Sequence, residues 1–150
     1  MTTVYDDNTN LAFPEPRIPV QPTYRLKWVF DSTGVEPSLV YTLGLASRPG
    51  RAYELATTGL PGPVAQAVIR SAVDQLDVEH LEPAEGLELD ETLKDGYLVR
   101  LRRAADTSDC TEARVAYGDD VPVWQILIPD KWGYFPGDSH YAEADAQPLM

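Results

Sequence analysis

Residues 59–77, with the sequence GLPGPVAQAVIRSAVDQLD, carry the clearest helical pattern of the chain. Pro63 follows a turn-forming segment and suits the first position of a helix, where its missing N–H costs nothing. Apolar side chains then recur every three or four residues on one stripe, at Val64, Val68, Ala72 and Leu76. This spacing predicts an amphipathic helix over residues 63–77 that covers one face of a sheet.

Strand patterns stand on both sides of this helix. Alternating or continuous β-prone runs cover residues 24–31, 38–45, 53–57, 96–103 and 121–128. A short second helix is predicted over residues 109–117, because Asp109 and Glu112 have capping-box spacing and Gly118 supplies a stop. Strands before and after one main helix predict an α+β fold with a mostly antiparallel sheet of about five strands.

The chain divides into an arm and one domain. Four prolines within residues 1–23 are incompatible with a helix or a central strand, so this segment is predicted to be a proline-rich N-terminal arm. Residues 24–150 have the length of a single domain. Within it we expect an acidic loop over residues 74–95 and an aromatic C-terminal tail over residues 131–150.

The charge of the chain limits its partners. The sequence has 12 Lys and Arg against 24 Asp and Glu, a formal charge of −12. Such an excess repels nucleic-acid phosphates and anionic lipid headgroups, so neither direct nucleic-acid binding nor membrane binding is expected. A basic protein is a more suitable partner for the acidic loop, and we predict partner-binding residues at Glu88, Asp90 and Glu91.

The sequence also indicates the cell compartment. Cys110 is the single cysteine and cannot form an internal disulfide, and the first residues carry no secretion signal. No apolar run reaches the roughly 20 residues of a membrane span. These features predict a cytoplasmic protein, and a homodimer is compatible with them.

Familiar reactive motifs are missing from the sequence. Glu79, His80 and Glu82 lie close together but are too few for a zinc site, so no metal is expected. The adjacent residues 138–140 (Asp-Ser-His) cannot easily converge as a hydrolase triad. Because no phosphate-binding glycine loop or dinucleotide fingerprint occurs, no cofactor is expected. A lone cysteine at a helix start, Cys110, has either a lowered pKa or no reactivity.

Two groups of residues are candidates for ligand binding. The first lies on a predicted strand pair and comprises Tyr41, Thr42, Gly44 and Glu54. The second is aromatic and comprises Trp132, Tyr134 and Phe135. Together they offer a few polar groups beside apolar side chains, as small-molecule pockets do. The alternative is that both groups only pack the core and the tail.

Several separated blocks carry a family resemblance. They are residues 38–45 (SLVYTLGL), Glu54-Leu55, residues 58–61 (TGLP), residues 124–130 (WQILIPD), Gly133, Phe135-Pro136 and residues 147–149 (QPL). In order and spacing they resemble the bacterial domain-of-unknown-function family 4262, over about residues 24–150. The resemblance implies no activity. In the family pattern a His-Pro pair precedes the glutamate, where this chain has Ala52 and Tyr53, and a tryptophan often follows Phe-Pro, where Gly137 stands.

Three functional hypotheses follow, in this order of preference. The first is a small-ligand-binding or regulatory domain. The second is an acidic interaction or inhibitor protein, of a kind that phages encode, which docks a basic partner. The third is a small enzyme in which Glu54 acts as general base and Tyr41 as proton donor.

Overall fold

The computed structural model describes residues 24–141 and 147–150, and the predicted arm over residues 1–23 lies outside them. In this part of the chain, none of the helices has the length and hydropathy that a membrane span requires. The strands are β1 (Arg25–Phe30), β2 (Pro37–Leu43), β3 (Glu54–Thr58), β4 (Glu88–Leu89), β5 (Val99–Arg103) and β6 (Val123–Leu127). The helices are α1 (Gly62–Val78) and α2 (Thr111–Tyr117), with a 3₁₀ turn at Leu45–Ser47.

The strands form one sheet in the order β1-β2-β3-β6-β5-β4. Every neighbouring pair is antiparallel except β3 and β6, which run parallel. The predicted α+β class is therefore confirmed, with six strands rather than about five. The additional strand is β4, which lies in the acidic segment and has only two residues. A strand of two residues is too short to show any periodicity in the sequence.

Helix α1 covers one face of the sheet. Its buried side chains include Val68, Ile69 and Leu76, which pack with strand residues such as Leu55 in the larger core cluster. The helix begins one residue earlier than predicted, so Pro63 occupies its second position. At Gly62 an added Cβ would lie 3.0 Å from the Trp28 ring, so this glycine lets β1 and the helix start approach closely.

Helix α2 packs on the opposite face, in a second core cluster with Tyr41 and Cys110. The predicted capping box at its start is wrong. The helix begins at Thr111, so Asp109 lies one residue before the cap position, and no side chain of the cap residue bonds the helix. Instead the Tyr41 hydroxyl accepts a hydrogen bond of 3.2 Å from the backbone N–H of Glu112. Gly118, with φ of 97°, ends the helix as predicted.

Two buried glutamine side chains hold residues 147–150 to the body of the sheet. The Gln125 amide accepts from the Met150 N–H at 2.9 Å and donates to the Pro148 carbonyl at 2.8 Å. The Gln147 amide bonds both the N–H and the carbonyl of Ile128, at 2.9 Å each. Each glutamine amide therefore bonds backbone groups as a neighbouring strand would. These bonds hold residues 147–150 against the sheet.

Candidate functional site

The Glu54 carboxylate lies at the start of β3 and is fully buried. One oxygen accepts hydrogen bonds from the Thr42 hydroxyl at 2.6 Å and the Leu45 N–H at 3.2 Å. The other accepts from the N–H groups of Gly44 at 3.1 Å and Ala46 at 3.0 Å. The structure thus brings Thr42, Gly44 and Glu54 together, as contacts that tie β2, the 3₁₀ turn and β3 to one another.

The hydrogen bonds define the electrostatics of Glu54. Burial raises the pKa of this carboxyl above its ordinary value, while the bonds from Thr42 and from backbone residues 44–46 act to lower it. Four donors match the number of lone-pair positions on a carboxylate. These contacts favour a structural role, and the ligand-binding role of Thr42, Gly44 and Glu54 stays a prediction.

Tyr41 and Cys110 belong to the second core cluster, on the α2 side of the sheet. The Tyr41 hydroxyl contacts the start of α2, whereas the Glu54 carboxylate contacts the 3₁₀ turn, so the two groups have different partners. Burial, with the charge of Asp109 as a smaller cause, raises the pKa of the Cys110 thiol to about 12. This direction is opposite to the one a reactive helix-start cysteine requires.

The predicted aromatic group lies at the other end of the sheet from Glu54. Glu54 pairs with Val123 at the start of β6, while the aromatic residues follow the end of that strand. Trp132 is 63% exposed, and Tyr134 stacks on His140 with 5.2 Å between ring centroids. The structure therefore does not assemble the two predicted groups into one pocket.

A cleft of about 340 Å³ lies instead between β5, the end of β6 and the C-terminal segments. We call it the Arg100 cleft; its principal lining residues are Arg100, Arg102, Leu127, Phe135, Pro136 and Leu149. Phe135 is the one residue of the predicted site that lines it.

Arg100 is held at the cleft by two contacts. Its Nη2 lies 2.9 Å from Glu88 Oε2, and its Cζ lies 4.2 Å from the centroid of the Phe135 ring. Arg102 lies two residues further along β5, on the same side of the strand, and its Nη1 donates to the Met150 carbonyl. Two guanidinium groups therefore share one cleft in a strongly acidic chain.

Two acidic residues also line the Arg100 cleft, and both have partners. The Glu85 carboxylate accepts a hydrogen bond of 2.9 Å from the Arg103 N–H. The Asp138 carboxylate accepts a hydrogen bond of 3.4 Å from the His140 N–H. The cleft thus combines positive and negative groups, with the guanidinium groups on its sheet side.

The predicted partner-binding residues are divided between two places. Glu88 pairs with Arg100 beside the cleft. Asp90 and Glu91 instead lie with Glu79 in an exposed group whose carboxylate oxygens are within 4.8 Å of one another. Gln75 contacts all three of these residues, by donating to Glu79 and Asp90 and accepting from the Glu91 N–H. Docking of a basic partner at these residues stays a prediction.

The sequence reasoning did not identify Arg100, Arg102 or Leu149 as site residues. One signal was present, since two arginines two positions apart on a half-buried strand share a side of the sheet in a chain with few basic residues. Leu149 stands in the resemblance block of residues 147–149, but that block does not indicate a site. Its place at the cleft depends on how Gln125 and Gln147 hold the C-terminal segment.

No curated protein and no solved structure matches this chain. One family model does match, over residues 25–142, which is most of the described domain. The chain accordingly belongs to the family described as Domain of unknown function (DUF4262).

Proposed function

We propose that this protein is a small-ligand-binding domain and that it binds an organic anion in the Arg100 cleft. The observation that carries the proposal is the pair Arg100 and Arg102 on one side of β5, beside Phe135 and Leu149. A chain with a formal charge of −12 has few cations to place. Two of them lie at one partly apolar cleft, whose two acidic lining residues already accept hydrogen bonds from the chain itself. The guanidinium groups therefore favour a ligand of opposite charge.

The chemistry of arginine supports an anion. A guanidinium carries five N–H donors in a fixed fork that matches carboxylate and phosphate oxygens. Among the described residues, Glu88 engages one terminal nitrogen of Arg100, and Met150 engages one of Arg102. Each group therefore keeps donors for a ligand, and stacking on Phe135 limits the movement of Arg100.

The apolar part of the lining favours a ligand with an apolar part. Leu127, Phe135, Pro136 and Leu149 supply apolar surface around the two guanidinium groups. The volume of about 340 Å³ is near the lower end of the range typical of small-molecule sites. A compact carboxylate or phosphate with a hydrocarbon or aromatic portion fits these properties.

The proposal is tested by thermal denaturation of the full chain with aliphatic and aromatic monocarboxylates, dicarboxylates and nucleoside monophosphates. We expect at least one class to raise the Tm, since a ligand that binds only the folded state stabilises it. The increase should shrink in Arg100→Gln and Arg102→Gln and persist in Arg103→Gln, a matched control from the same strand. No increase with any class, or an increase retained by the Arg100→Gln/Arg102→Gln double variant, would overturn the proposal.

A further inference from the structure

The first strand, β1, forms an edge of the sheet. It pairs with β2 on one side, and among the described residues no strand pairs with its other side. A six-residue edge strand presents unpaired N–H and C=O groups to other chains. We propose that two copies of this chain form a two-fold symmetric dimer in which their β1 strands pair antiparallel through Trp28.

The direction of the backbone groups supports pairing through Trp28. The Ser38 hydroxyl donates to the Val29 carbonyl at 3.1 Å, so this carbonyl points toward β2. Because successive residues of a strand alternate in direction, the N–H and C=O groups of Leu26 and Trp28 point to the open side. Two copies related by a two-fold axis at Trp28 can then exchange both hydrogen bonds of that residue.

An apolar surface adjoins the open edge. Trp28 is 38% exposed and Phe30 is 51% exposed, and both lie on the α1 side of β1 by strand alternation with Leu26. Val64, near the start of α1, is 44% exposed, and the Trp28 ring meets this helix start at Gly62. Pairing through Trp28 places the two Trp28 side chains opposite each other, and Leu26 opposite Phe30 of the second copy.

The charges along β1 favour a second copy of this chain as the partner, and they favour one register of pairing over another. In an antiparallel pair, opposite residues must both point their backbone groups toward the partner or both away from it. Two registers of longest overlap satisfy this for β1, one with Lys27 opposite itself and one with Trp28 opposite itself. The first places Lys27 opposite Lys27 of the second copy, which is unfavourable.

The second register places Arg25 opposite Asp31 of the second copy, at both ends of the pairing. Asp31 directly follows β1, and its Oδ1 also accepts hydrogen bonds from Thr33 and Gly34 in its own turn. On its own chain, Arg25 Nη2 lies 4.0 Å from one oxygen of Glu112, while Lys27 Nζ lies 2.5 Å from the other. The Arg25 side chain is 71% exposed, so it can also reach a carboxylate of the second copy.

The full chain provides the test, by sedimentation velocity over a range of concentrations. We expect a monomer–dimer equilibrium, with the dissociation constant raised about tenfold in Arg25→Asp and in Asp31→Lys, because each variant places like charges opposite each other twice. An equimolar mixture of these two variants should recover the parent affinity. In the mixed dimer the introduced aspartate faces the introduced lysine at one end, and the native Arg25 faces the native Asp31 at the other. Arg103→Asp, a charge reversal on β5, is the control and should dimerise like the parent.

Three results would overturn the proposal. One is a monomer at every concentration, which includes the case in which residues 1–23 of the same chain cover β1. Another is a dimer that both single variants leave unchanged. The third is a mixture that associates no better than its components, when circular dichroism shows both variants to be folded.

Discussion

The guanidinium of Arg100 lies over the ring of Phe135, with 4.2 Å between Cζ and the ring centroid. This contact joins β5 to the segment that follows β6, two parts of the chain that are not neighbours in sequence. It therefore fixes both the position of a cation and the width of the Arg100 cleft.

Phe135→Leu should keep most of the buried apolar volume but lose the stacked ring. We expect the free energy of unfolding to fall by about 1–2 kcal/mol and the ligand-induced rise in Tm to shrink, because Arg100 loses its support. Urea denaturation and ligand titration measure the two effects. Trp132→Leu is the control, since Trp132 is largely exposed and lies outside the Arg100 cleft. A Phe135→Leu variant that matches the parent in both measurements would contradict the assigned role.

Glu54→Gln should destabilise the fold rather than only impair a reaction. A glutamine amide replaces one acceptor oxygen by an NH₂ donor, so two of the four donors around Glu54 lose their acceptor. We expect the free energy of unfolding to fall by about 2–4 kcal/mol, measured by urea denaturation. Glu36→Gln, at an exposed position, should have an effect within about 0.5 kcal/mol. Unchanged stability with loss of ligand binding or turnover would instead support the sequence-based hypothesis of a Glu54 site.

Cys110 should make the stability depend on alkaline pH. Its pKa rises from 9.0 to about 12 on folding, so the folded chain keeps a proton that the unfolded chain loses above pH 9. The stability due to this group is fully present below pH 9 and is lost as the pH rises toward 12, by up to about 1.4 kcal/mol per pH unit.

Urea denaturation between pH 8 and pH 10.5 measures this slope, and Cys110→Ala should reduce it. Both proteins retain Tyr24 and Tyr53, whose pKa values are also raised by burial, so the difference between the proteins isolates the thiol. The thiol should react with a disulfide reagent only when the chain unfolds. Equal slopes, or rapid labelling of the folded protein, would show that the thiol is not buried as described.

Gln147→Leu should release the C-terminal segment from β6. The substitution leaves the N–H and the carbonyl of Ile128 without their side-chain partner and removes a bond to the Tyr141 hydroxyl. We expect a loss of about 2–3 kcal/mol in the free energy of unfolding and weaker ligand binding, because Leu149 lines the cleft. Gln66→Leu, on the exposed side of α1, is the control. Parent-like values for Gln147→Leu would mean that the segment is held by other contacts.

The sequence was sufficient for the parts of the fold that repeat regularly. Helix α1 was predicted to within a residue at each end, because its apolar stripe persists over more than three turns. The two-residue strand β4 was not predicted, because its pairing depends on β5 rather than on its own composition. The hydrogen bond from the Glu112 N–H to the Tyr41 hydroxyl was not predicted either, because the two residues are 71 positions apart in the sequence.

The candidate site was predictable only in part. Thr42, Gly44 and Glu54 meet as neighbours because β2 and β3 are sequential antiparallel strands. The hydrogen bonds that satisfy both oxygens of Glu54 depend on side-chain geometry, which a pattern of residue types does not reveal. The Arg100 cleft needs β5, the segment after β6 and the C-terminal residues together, so only Phe135 among its lining residues was anticipated.

Native mass spectrometry of the protein purified from its own host tests the central claim most directly. The parent and the Arg100→Gln/Arg102→Gln double variant are compared before and after denaturation. We predict that a small organic anion accompanies the parent and is absent from the double variant. The same small molecule on both proteins, or none on either, would contradict the assignment of the Arg100 cleft as an anion-binding site.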